Sequence, residues 1–182
     1  AAEEHPNTTS LKRLVRLAME AGQWRRATQA YLKMAALLPE PADQATAHVQ
    51  AAAVFQHHLG SSEQAARHYE RALEINPADL SPLEELASML AGGDQWRALR
   101  GVYERMIERT SLLPEPPRDL LGVLWFKLGE VLRLHLNDLD AARTAYSAAA
   151  EIQPDNMQLH GLLAELYDGQ SDEESLRRSV HH

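Results

Sequence analysis

Alanines at 65 and 72, and again at 142 and 149, recur at heptad spacing, so each pair falls on one face of a helix. Tyr69 and Tyr146 stand between them. Small side chains on such a face let a neighbouring helix approach closely, and the tyrosine fills the groove they leave. Apolar positions with this spacing, interrupted by Gly, Asn or Pro, predict helices over 8–21, 24–37, 42–59, 62–75, 80–91, 95–111, 118–136, 139–152, 157–168 and 172–180. Gly22 and Gly60 are placed to end first helices in a left-handed conformation, and Asn137 takes the equivalent place later. Asp138 is placed to cap the helix that follows. Pro77 and Pro154 stop the helices before them, because proline lacks the N–H and clashes with the preceding turn.

The pattern is duplicated. Leu-Leu-Pro-Glu-Pro occurs at 37–41 and again at 112–116. Gln23-Trp24-Arg25, Tyr31 and Met34 recur at one constant offset as Gln95-Trp96-Arg97, Tyr103 and Met106. His58-Leu59 recurs, at a slightly larger offset, as His135-Leu136. Ala65, Tyr69, Ala72, Ile75 and Pro77 recur at that same larger offset as Ala142, Tyr146, Ala149, Ile152 and Pro154. Each duplicated unit divides again. The interval from Tyr69 to Tyr103 is the shortest between successive tyrosines of the set, while those from Tyr31 to Tyr69 and from Tyr103 to Tyr146 each span a Leu-Leu-Pro-Glu-Pro break. The uninterrupted interval is the underlying period, about 34 positions, stretched where the break intrudes. Two prolines separated by one residue cannot continue a helix. The break is expected to be a stiff hinge between the two repeats of each pair, anchored by Leu37, Leu38, Leu112 and Leu113 against the core.

A period of this length with this pattern resembles the tetratricopeptide repeat, a helix–turn–helix unit. The second-helix signature reads Ala27, Tyr31, Met34, Pro39; Ala65, Tyr69, Ala72, Pro77; Leu99, Tyr103, Met106; and Ala142, Tyr146, Ala149, Pro154. The first-helix signature is clearest at Leu83, Leu86, Ala87, Leu90 and at Trp125, Leu128, Gly129, Leu132. The third repeat departs from it, with Leu99 for the usual Ala and no closing Pro, and its second helix is expected to run on to about residue 112. The resemblance implies an all-α fold: a right-handed α-solenoid of about four and a half repeats, at 8–41, 42–79, 80–116, 117–156 and a partial 157–182, forming one array. In the partial repeat, Leu176 and Val180 fall on second-helix core positions. Asp172, Glu173, Glu174, Arg177 and Arg178 would then face water as a polar cap, unless the array continues in a longer protein. The absence of an initial Met favours a piece of a longer chain, and no weight rests on His181 and His182.

The resemblance also implies a concave groove lined by first helices that holds a peptide or partner protein. The residues so placed are Lys12, Arg16 and Met19; Val49 and Gln56; Glu84 and Ser88; and Phe126, Glu130 and Arg133. That wall is basic at its start, small and apolar in the second repeat, and acidic or mixed later. Some members of the family grip a C-terminal carboxylate with a Lys, Asn, Asn, Lys, Arg clamp. Lys12 and Arg16 share its charge, but the asparagines are absent, so the clamp is not carried over.

Composition narrows the functional classes. Eighteen basic residues against 26 acidic ones leave a net charge of −8, which argues against general nucleic-acid binding. Without cysteine there is no disulfide framework and no thiolate metal site. No apolar run approaches the roughly 20 residues that span a bilayer. The expected compartment is the cytoplasm, although a chain without cysteine suits the periplasm equally. Glycine-rich phosphate loops, His-Glu-x-x-His and cysteine nucleophiles are missing. His57 and His58 are adjacent and point about 100° apart on a helix, so they cannot chelate one metal together. No catalytic residue, metal site or cofactor is expected. Trp24 and Trp96 are read as packing at the turn between helices, with an exposed aromatic anchor for a partner as the sharper alternative. The leading reading is a non-enzymatic scaffold for protein–protein interaction. The others are a spacer or self-association segment of a larger repeat protein, joined through open array ends, and a regulatory arm of an enzyme outside this chain.

Overall fold

The computed structural model describes residues 7–77 and 79–180, with side chains as far as Asp168. Among the described residues there are nine α-helices and no strand: α1 Thr8–Glu20, α2 Trp24–Leu37, α3 Pro41–His57, α4 Ser62–Ile75, α5 Ser81–Gly92, α6 Trp96–Ser111, α7 Arg118–Leu134, α8 Leu139–Ile152 and α9 Met157–Val180. The chain divides into two compact units, Ala1–Gly93 and Asp94–His182, and the boundary falls in the turn of the third repeat. Within unit 1 each of α1 to α5 packs on its neighbour in sequence, and within unit 2 the same holds for α6 to α9. Sequence-adjacent packing is what a chain of helical hairpins produces, since each unit seals its apolar stripe only on the next.

The alanines behave as their spacing predicts. Ala65, Ala72, Ala142 and Ala149 are wholly buried, as are Tyr69 and Tyr146 between them. Four of the turns between helices pass through one left-handed residue, in order Gly22, Gly60, Asp94 and Asn137. Asp94 is the third member of this set, at the same offset from Gly22 as Trp96 from Trp24, and it stands beside two glycines that do not take the role. Aspartate tolerates that conformation because its short polar side chain bonds locally. The Ala141 amide donates to Asp138 Oδ1 at 3.1 Å, so Asp138 caps α8 as expected.

Two expectations are corrected. Of the four leucines in the duplicated break, only Leu38 packs on the core, against the cluster of Leu11, Val15, Ala30 and Met34. Leu37, Leu112 and Leu113 are exposed. In the first copy Pro41 opens α3 at once, and the Gln44 side chain donates to the Leu38 carbonyl at 2.8 Å, tying the short connector down. In the second copy α6 runs to Ser111 and α7 starts only at Arg118, so the longer connector holds its leucines off the core. The second correction concerns the end. The helices expected at 157–168 and 172–180 are one continuous α9. A single glycine, Gly169, weakens a helix by about 1 kcal/mol without breaking it, and no proline stands there. The orientations expected for Asp172, Glu173, Glu174, Leu176, Arg177, Arg178 and Val180 lie outside the described side chains.

Candidate functional site

The residues that the resemblance places on first helices differ in exposure and in what they touch. In unit 1 they are Lys12, Arg16 and Met19 on α1, Val49 and Gln56 on α3, and Glu84 and Ser88 on α5. Lys12, Arg16, Glu84 and Ser88 are exposed; Met19, Val49 and Gln56 are half-buried, with Met19 resting on the α1–α2 core. Arg16 faces Glu20 at 3.9 Å, an exposed pair of small energetic weight. In unit 2 they are Phe126, Glu130 and Arg133 on α7, all half-buried. Lys127 donates to Glu130 at 2.8 Å, and Arg133 lies 3.9 Å from Glu165 of α9. Phe126 tilts against the Tyr146 ring with centroids 5.8 Å apart.

Behind these residues the two units differ at one atom. In unit 1 the Tyr69 hydroxyl donates to Gln56 Oε1 at 3.0 Å. In unit 2 the duplicate of Gln56 is Arg133, a donor with nothing to accept the proton. The Tyr146 hydroxyl and Arg133 Nε are both sealed from solvent without a hydrogen bond of acceptable geometry. Burial pushes the Tyr146 phenol pKa up, and the neighbouring Arg133 guanidinium only partly opposes it.

Stacked aromatics clip the ends of the hairpins. Trp24 stacks on His58 at 3.8 Å, and Trp96 stacks on His135 at 3.4 Å, the same clip in each unit. Both tryptophans are half-buried and engaged, which supports the packing reading over the free anchor. The sequence offsets show that each tryptophan and each histidine recurs, but not that they meet.

The structure also joins two histidines that the sequence leaves apart. His48 Nδ1 and His68 Nδ1 are 3.3 Å apart, so one ring must donate and the other accept. The His68 ring also lies along Phe55, with Arg67 and Arg71 as the neighbouring charges. Burial lowers both pKa values; the other ring and Arg71 lower His48 further, and Arg67 lowers His68. A histidine whose folded pKa is depressed stabilises the fold above its unfolded pKa, and that stability drains away as pH falls toward the folded value. Unit 1 is therefore expected to lose stability below about pH 6.5. Urea unfolding followed at Trp24 should show this loss, and His68→Ala should flatten it. An unchanged slope in that variant would show that the pair is not its source.

Among the described residues no three His, Asp or Glu side chains are grouped to hold a metal ion. No helix among them is long and apolar enough to cross a membrane.

Sequence-adjacent packed helices, with left-handed turns at Gly22, Gly60, Asp94 and Asn137 and a buried alanine–tyrosine–alanine set on α4 and again on α8, define an all-α helical-repeat protein. Two of the repeats, residues 46–79 and 123–156, match the tetratricopeptide repeat. Solved structures agree on the fold. BtubC (BKLC) from P. vanneervenii is 20% identical over 95% of this chain and 76% of its own, with a TM-score of 0.53. MamA AMB-1 is 14% identical over 92% of this chain and 85% of its own, with a TM-score of 0.50. No curated protein sequence matches the chain.

Proposed function

We propose that the first-helix flanks of the two units bind a peptide or partner protein. The observation that carries this reading is the set of side chains left on those flanks. Lys12 and Arg16 on α1 and Glu84 and Ser88 on α5 are polar or charged and solvated, while on α3 and α7 half-buried Val49 and Phe126 offer apolar contact among polar neighbours. Within each unit, apolar contact beside polar side chains is the usual make-up of a recognition surface. The match of residues 46–79 and 123–156 to the tetratricopeptide repeat supports the same reading. Lys12 and Arg16 give unit 1 a cationic end suited to an acidic segment of the partner, against an overall charge of −8.

The test is a cross-linking pull-down with the chain and with two variants, Lys12→Glu/Arg16→Glu and Phe126→Ala, each checked first for an unchanged melting profile. Partners recovered with the parent chain should be depleted with at least one variant. Recovery of every partner by both variants would sink the first-helix flanks as the binding surface.

A further inference from the structure

The second helices carry a separate feature. In unit 2 a cleft of about 430 Å³ opens between α6, α7 and α8. Its floor is Ile107, Leu128, Leu132 and Ala145, and Trp125 forms one wall. That volume lies within the range of about 300–1,000 Å³ typical of ligand sites. It shares no residue with the flanks proposed above.

The internal duplication shows what such a cleft accepts. In the register that matches Tyr146 to Tyr69, Trp125, Leu132 and Ala145 correspond to His48, Phe55 and His68. In unit 1 the His68 ring lies along both Phe55 and His48, with centroids 5.4 Å apart in each case. One copy of the framework thus supplies its own aromatic ring from α4. The other has alanine at that position, and its cleft reaches Thr144 and Ala145 of α8, whereas the unit 1 cleft of about 330 Å³ over Thr28, Leu32 and Phe55 stops short of α4. The rim adds a charge preference. Arg100 is engaged by Glu104 at 2.7 Å and by Asp138 at 3.6 Å, and Glu108 stands on the same rim. Two lining acids, Glu104 and Glu108, against one arginine that Asp138 also engages from outside leave the mouth negative.

We propose that this cleft is a docking site for an aromatic side chain of a partner protein carried next to a lysine or arginine. The ring takes the place that His68 fills in unit 1, against the Trp125 indole and the aliphatic floor. The adjacent cation meets Glu108 and Glu104 at the mouth. The aromatic ring contributes contact area at small entropic cost, and the cation contributes specificity.

The probes are two capped dipeptides, acetyl-Phe-Lys amide and acetyl-Phe-Glu amide, titrated into the isotopically labelled chain while the indole N–H of Trp125 is followed by NMR. The lysine probe should move that signal saturably in the millimolar range, and the glutamate probe should bind about three- to fivefold more weakly, the size of one rim ion pair. Ala145→His installs the unit 1 ring and should abolish the shift. Thr144→Arg, which copies Arg67 of unit 1 at an exposed position, leaves the floor untouched and should remove the preference for lysine. No saturable shift of Trp125, or shifts unaltered in both variants, would overturn the proposal. The Trp125 readout does not depend on the first-helix flanks, so its failure would leave the proposed function standing.

Discussion

Tyr146→Ala is expected to destabilise unit 2 by about 3–5 kcal/mol, the range for deleting a large ring from a closed interior. The ring is wholly buried between Ala142 and Ala149 and lies across Gly129 of α7, so no exposed group can collapse into the space. Tyr146→Phe should do the opposite. It removes a hydroxyl that is sealed without a partner, and stability should rise by about 1 kcal/mol. The same change in unit 1, Tyr69→Phe, breaks the bond to Gln56 and should cost about 1 kcal/mol. Arg133→Gln should stabilise unit 2 by giving the Tyr146 proton the acceptor that Gln56 gives Tyr69, and should have no such effect when Tyr146→Phe is already present. Urea unfolding monitored at Trp96 and Trp125 for unit 2, and at Trp24 for unit 1, measures all of these. Equal penalties for the two phenylalanine variants would show that the Tyr146 hydroxyl has a satisfied partner after all.

The contrast between the two tyrosines marks how far the sequence can be read. Positions that repeat for a steric reason were legible: the alanines that admit a neighbouring helix, the tyrosines between them, and the turns at Gly22, Gly60 and Asn137. Each is a local requirement, so a single residue type at a single spacing announces it. The left-handed turn at Asp94 was less visible because Gly92 and Gly93 are the better local candidates, and only its register with Gly22 singles out the aspartate. Pairings between helices were not legible. Nothing in the spacing of His48 and His68 says that two rings on α3 and α4 meet, and nothing in Trp24 and His58 says that they stack. Such contacts depend on how far one helix slides along another, which one-dimensional periodicity does not specify. The leucines of the duplicated break misled for a related reason. Their apolar character suggested burial, but burial depends on connector length, and the second connector is longer. The candidate flanks stand between these cases. Helical phase placed Lys12, Arg16, Glu84 and Ser88 on solvated surface, but it could not show Arg133 beside a hydroxyl it leaves unsatisfied.

Gly129→Val should be the most damaging substitution that adds rather than removes atoms. Glycine inside a helix is ordinarily a weakness, and replacing it by a residue with a side chain gains up to about 1 kcal/mol of helix propensity. Here the gain is overridden. A Cβ at 129 would lie 2.5 Å from Tyr146 Cε1 and 2.6 Å from Cδ1, and that ring is fully enclosed, so it has no free volume to retreat into. Overpacking of this kind costs about 1–3 kcal/mol, and the branched methyls of valine push it to the upper end. Unit 1 carries Ala52 at the corresponding position, itself wholly buried, so this framework tolerates one methyl where the facing tyrosine is hydrogen-bonded to glutamine. Gly129→Ala should therefore be milder than Gly129→Val. Because the clash is with one ring, the penalty should be strongly non-additive with Tyr146→Ala: the double variant should be less destabilised than the sum of the single ones by about 1–3 kcal/mol. Additive penalties in a urea double-mutant cycle would mean that Gly129 is required for something other than room for Tyr146.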